Sequence, residues 1–119
     1  MSFQVDIWLR GENHATTETI APVATDANAW SDGDVAAVLE GMLRALERAK
    51  HPEAAPDRPV ALRGFSWIVN PFEEGGVVIA LEVGLGAVVA GPFDVAEPAL
   101  TAAITRVVNA QREHAGLVH

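Results

Sequence analysis

The chain of 119 residues contains no cysteine, which excludes disulfide bonds and metal sites built on thiolates. Basic residues are also scarce, because eight lysines and arginines stand against sixteen acidic residues and leave a net charge of −8. Nucleic acids and anionic membranes are bound through lysine and arginine, so we expect neither as a partner. The first residues lack the basic and apolar regions of a signal peptide, which favours a cytoplasmic location.

A long hydrophobic run that would cross a membrane as a helix is also lacking. Residues 75–93 carry a single charge, but that charge is Glu82 at the centre, and the stretch holds five glycines and a proline. A charge at mid-bilayer is costly, so strands are the better interpretation. Hydrophobic residues make up 50% of the chain and charged residues 20%, which is typical of one globular domain.

Motifs for catalysis and metal binding are incomplete. Gly84 and Gly86 lack the third glycine of a dinucleotide-binding loop, and Ser66 lacks the glycine that should follow it in a nucleophile elbow. The four histidines, His14, His51, His114 and His119, show no metal-ligand spacing. We therefore expect no cofactor and no metal, and the sequence leans against an enzyme.

Two segments have clear periodicity. Residues 3–9 alternate between apolar and polar positions and predict a half-buried strand, with Trp8 on the polar side. Ser31 and Asp34 match a capping box, and apolar side chains at helical spacing follow to about residue 50. Residues 98–113 predict a second helix. Residues 12–28 are interpreted as a long loop, or as a loop with a strand at 16–20.

A hairpin is predicted between residues 60 and 93, with a turn at residues 71–74. If that turn has four residues, partners across the hairpin have numbers that sum to 145, which places Arg63 opposite Glu82 as an ion pair. This register puts Ser66 and Ile68 on the core face. After Val83, the glycines indicate either a turn into a further strand or a bulge in one long strand.

The same register predicts a second apolar face. Phe65, Trp67 and Val78 lie on it, and Trp8 joins them if the first strand is a neighbour. An exposed patch of this kind marks an interface, unless the N-terminal segment or a loop covers it. The fold class expected is α+β, a two-layer sandwich in which two helices pack on one face of a mainly antiparallel sheet of four or five strands.

The leading functional hypothesis is a non-catalytic protein-binding or assembly module that forms a homodimer through this face, with another protein as a possible partner. The rival is a small-molecule-binding protein or minor enzyme. Its pocket would lie between the segment 12–28 and the sheet, lined by Glu12, His14, Arg63 and Ser66. A structural subunit of a larger assembly is a third interpretation.

Overall fold

The structure, a computed structural model, describes residues 3–12, 15–20, 27–51, 64–73, 75–84 and 86–117, the last seven of them by their backbone alone. Five strands and two α-helices follow one another as β1 (Phe3–Leu9), β2 (Ala15–Ile20), α1 (Asp32–Lys50), β3 (Ser66–Pro71), β4 (Val77–Val83), β5 (Gly86–Phe93) and α2 (Glu97–Leu117). A single 3-10 turn at Ala27–Ala29 precedes α1. The predicted α+β class and element order are confirmed.

The strands form one antiparallel sheet in the order β2-β1-β5-β4-β3, so β5 is the central strand. Both helices pack on the same face, α1 over β1 and β5 and α2 over β3. The core between the layers is apolar and includes Val5, Ile7, Leu39, Ile79 and Ile104. The sheet therefore has one face buried under helices and one face that no described helix covers.

Three details were open or wrong in the sequence interpretation. The segment 12–28 includes a strand, β2, which pairs with β1 along its whole length. The glycines after β4 form a turn into a separate strand, because β4 and β5 pair as a hairpin with Val83 opposite Gly86. The second helix continues to Leu117, past the predicted end at residue 113.

The start of α1 has the predicted capping box. The Asp34 backbone N–H donates to Ser31 Oγ at 3.1 Å, and the Ser31 N–H donates to Asp34 Oδ2 at 3.0 Å. These bonds satisfy N–H groups that have no partner inside the helix. At the other end, the His51 N–H donates to the Glu47 carbonyl oxygen at 2.7 Å. The sequence predicted both boundaries of this helix.

The predicted register of the β3–β4 hairpin was wrong by three residues. Strand β3 continues through Pro71, which lies opposite Val77, and the Phe72 N–H donates to the Gly76 carbonyl oxygen at 2.9 Å to close the turn. Paired residues therefore sum to 148, and Glu82 lies opposite Ser66 rather than Arg63. Arg63 itself lies outside the described residues. A shift by an odd number of residues moves each β3 side chain to the other face.

The energies of the two registers explain why the observed one is favoured. The predicted register rested on a cross-strand ion pair, which contributes at most about 1 kcal/mol. The observed register packs Phe65 and Trp67 against the core and exposes Ser66. Full burial of one large apolar side chain contributes about 1.5–3 kcal/mol. Phe65 and Trp67 are half-buried, so together they contribute about as much as one fully buried side chain, which exceeds the contribution of the ion pair. Pro71 has no N–H to donate, and it is tolerated because β3 is an edge strand.

One ion pair joins α1 to the sheet, and another joins the two helices. Arg48 on α1 donates from Nε to Glu18 Oε1 on β2 at 3.2 Å. Arg106 on α2 donates to both carboxylate oxygens of Asp32 at the start of α1, at 3.0 and 3.2 Å. The Arg106 hydrogen bond, helped by its charge, lowers the pKa of Asp32 from its ordinary value. Both members of this second pair are exposed, so its contribution to stability is small.

A lowered pKa has a defined consequence for stability. Asp32 stabilises the fold above the pKa of an unfolded aspartate, about 3.9, and this contribution is lost as pH falls through the lowered folded pKa. Asp32→Asn is therefore expected to lower the urea midpoint slightly at neutral pH, with the difference shrinking below pH about 4. In an Arg106→Gln background the same substitution is expected to have less effect. An unchanged difference in that background would contradict the pairing.

Candidate functional site

The uncovered face of the sheet, here called the open face, is the candidate site. It carries the even-numbered side chains of β1, β3 and β4, the odd-numbered side chains of β2, and Ala87 and Val89 of β5, since neighbours along a strand point to opposite faces. A shift in the β4–β5 register interrupts this alternation toward the end of β5, where Phe93 is buried. Ile68 is 52% exposed and Trp8 is 40% exposed. Large apolar side chains left in water on one surface indicate an interface.

The register arranges the open face in rows that run across all five strands. The first row is Ala15, Trp8, Ala87, Glu82 and Ser66, in sheet order. The second row is Thr17, Asp6, Val89, Ala80 and Ile68. The middle of the face, on β5 and β4, is therefore built mainly from small apolar side chains, with the largest apolar groups toward the two sides.

Small side chains in the middle create two shallow depressions. One has a volume of about 260 Å³ and lies between Trp8 and Glu82, with Ala87 between them. The other, of about 220 Å³, lies between Glu82 and Ile68, with Ala80 in its lining. Both are open to solvent, and Glu82 separates them. Their shape suits a protruding side chain of a partner better than an enclosed small molecule, because ligand pockets bury most of the ligand.

The charges of the open face are few. Asp6 accepts a hydrogen bond from Thr17 Oγ1 at 2.8 Å, so that carboxylate has a partner on the neighbouring strand. Arg10 follows β1 and donates from Nε to the Gly84 carbonyl oxygen at 3.0 Å. Its terminal nitrogens form no hydrogen bond with another residue that the structure describes. Glu82 is exposed and forms no ion pair with any other described residue. The four other bases with described side chains, Arg44, Arg48, Lys50 and Arg106, belong to the helices.

The structure separates the residues predicted as an interface. Trp8 and Val78 lie on the open face. Phe65 and Trp67 pack against the core under the helices, so their predicted place on the second apolar face was wrong, for the reason given by the register. Ile68, which had been assigned to the core, takes their place on the open face. The sequence could have predicted this arrangement if the register had been chosen to bury the most aromatic surface.

Of the four residues predicted to line a ligand pocket, the two that the structure describes lie apart. Glu12 follows β1 beside the β1–β2 edge, whereas Ser66 lies on β3 at the other edge of the sheet. Strands β1 and β3 are three spacings apart, about 14 Å at roughly 4.8 Å each. His14 and Arg63 lie outside the described residues. A wider depression of about 450 Å³ does include Ser66, together with Arg10 and Glu82, at the end of the sheet.

The acidic side chains and histidines that the structure describes do not cluster as metal ligands do. No three of these described side chains are close enough together to hold a metal ion. Of the two described helices, neither has a stretch apolar enough to span a membrane. Comparison of this chain with known protein families, curated proteins and solved structures found no match.

Proposed function

We propose that this protein is a non-catalytic assembly module that associates with a second copy of itself through the open face. The observation that carries the proposal is the exposure of Trp8 and Ile68 on a sheet face that no described element covers. The N-terminal segment, one candidate for a cover, is β1 and lies within the sheet. Trp is enriched at the centres of protein interfaces, and Trp8 projects from the strand next to the central one.

The dimensions of the open face suit a modest dimer. Five strands at about 4.8 Å spacing and roughly 20 Å of strand length give a footprint of about 480 Å². Two such faces in contact bury about 1,000 Å², which is close to the lower limit for a specific interface. We therefore expect an association that depends on concentration, with affinity set by a few side chains rather than by area.

The competing interpretation as a small-molecule-binding protein has less support. Its predicted lining residues Glu12 and Ser66 lie toward opposite edges of the sheet. The depressions on the open face are shallow and open, whereas a ligand site is normally concave and encloses its ligand. Self-association uses the same surface without needing a pocket, and we favour it for that reason.

Light scattering after size exclusion tests the proposal. The wild-type protein is expected to show a dimer that dissociates on dilution. Trp8→Ser combined with Ile68→Ser is expected to weaken the dimer at least tenfold, because truncation of a tryptophan that anchors an interface costs about 2 kcal/mol or more. Circular dichroism should stay unchanged, since both side chains are exposed.

The matched control is Phe72→Ser. Phe72 is as exposed as Trp8, at 40%, but it lies in the β3–β4 turn. Its replacement is expected to leave the dimer intact. A double variant that dimerises as well as the wild type, or a control that dissociates as much as the double variant, would contradict the proposed surface.

A further inference from the structure

We infer that the two copies pack face to face about a two-fold axis that runs along β5, an inference that rests on the proposed self-association. Strand β5 is the third of five. Among two-fold axes parallel to the strands, the one along β5 is therefore the one that makes the two sheets overlap completely. Rotation about it places β1 of one copy over β4 of the other, and β2 over β3. This rotation does not shift positions along the strand direction, so each row of the open face lies opposite the same row of the second copy.

Shape favours this axis. In the first row, Trp8 of one copy lies over Glu82 of the other, beside the depression next to Ala87. Near the axis, Ala87 and Val89 face their own equivalents. These small side chains allow the sheets to approach closely, and the bulky indole enters the depression instead of holding the sheets apart. The two depressions face each other across the axis, and the two indole rings enter the shared space from opposite sides, as a self-complementary interface requires.

Charge favours the same axis. Arg10 lies two residues beyond Trp8, just after the end of β1, so it is close to Glu82 of the second copy. With sheets about 10 Å apart and a rise of about 3.4 Å per residue, the two Cα atoms are about 12 Å apart, which the long side chains can bridge. Arg10 uses only Nε for its bond to Gly84, and Glu82 has no ion-pair partner among the described residues. The dimer supplies this pairing twice.

The alternative two-fold axis, across the strands through the second row, is less favourable. It would place Asp6 of one copy directly over Asp6 of the other, because each strand would then face itself. Like charges in direct opposition across an interface are destabilising. It would also place Trp8 over Gln4, where no depression lies among the described residues. Rotation about β5 keeps each carboxylate away from its equivalent.

A charge exchange tests the inferred geometry. Arg10→Glu or Glu82→Arg alone creates like charges across the interface, and each is expected to raise the dimer dissociation constant at least about tenfold. The double variant restores opposite charges in reversed positions and is expected to return to within about threefold of the wild type. Dissociation constants are measured by sedimentation equilibrium, and circular dichroism checks that each variant is folded.

Glu73→Arg is the control, since it makes the same charge change as Glu82→Arg at an exposed position in the β3–β4 turn. It is expected to leave the dissociation constant unchanged. A wild-type dimer whose double variant stays as weak as the single variants, or whose single variants are as strong as the wild type, would overturn this axis and leave self-association standing. A monomeric wild-type protein would overturn both.

Discussion

Gly86→Ala is expected to destabilise the protein by about 3 kcal/mol or more, at the severe end of the effects of overpacking. Gly86 begins β5 and pairs with Leu9 on β1. A Cβ atom at this position would overlap the Trp8 carbonyl oxygen and would lie 2.9 Å from the Leu9 Cα atom. The clash is with backbone, which cannot rotate away as a side chain can. Because β5 is the central strand, displacement of its first residue disturbs pairing on both sides.

Gly84→Ala is the matched control for that experiment. Gly84 lies two residues earlier, in the turn that joins β4 to β5, and a Cβ atom there would meet no heavy atom within 4 Å. Its replacement is expected to change the free energy of unfolding by less than about 0.5 kcal/mol. Urea unfolding followed by circular dichroism measures both variants. Equal stability of the two would contradict the close approach of β1 and β5.

Phe93→Ala is expected to cost about 3–5 kcal/mol, as replacement of a buried phenylalanine by alanine usually does. Phe93 ends β5 and is 1% exposed. Its ring makes edge-to-face contacts with Phe3 on β1, at 5.2 Å between centroids, and with Trp30 just before α1, at 4.9 Å. The substitution leaves a cavity where the central strand, a neighbouring strand and the start of the first helix meet.

Phe72→Ala removes the same atoms from an exposed position. Phe72 is 40% exposed, and its backbone, rather than its ring, closes the β3–β4 turn. Its loss is expected to cost less than about 1 kcal/mol in the same unfolding experiment. Comparable losses for the two phenylalanines would mean that Phe93 does not hold the two layers together as described.

Local patterns in the sequence were sufficient for the elements with local causes. The capping box of α1 involves only Ser31 and Asp34, three residues apart, and both of its hydrogen bonds are present. The alternation of β1 buries Phe3, Val5 and Ile7 as predicted. In both cases neighbours in sequence determine the structure, so no knowledge of the rest of the fold was needed.

Non-local features were beyond the same reasoning. The central position of β5 depends on pairing with β1, which is some eighty residues away in sequence, and the charge and hydrophobicity of a strand do not identify its neighbour. The predicted β3–β4 register depended on the assumption that the turn has four residues. The resulting error of three residues placed Trp67 on the open face, where the structure has Ile68. Trp8 and Val78 lie on the open face as expected. On β3, however, the side chain that lies on this face is Ile68, and not the predicted Trp67.

The most direct test of self-association through the open face is the solution mass of the wild-type protein, measured by light scattering over a series of concentrations. The proposal predicts a species with twice the 12.6 kDa mass of the chain at high concentration and the single chain on dilution. A single-chain mass at every concentration would contradict it.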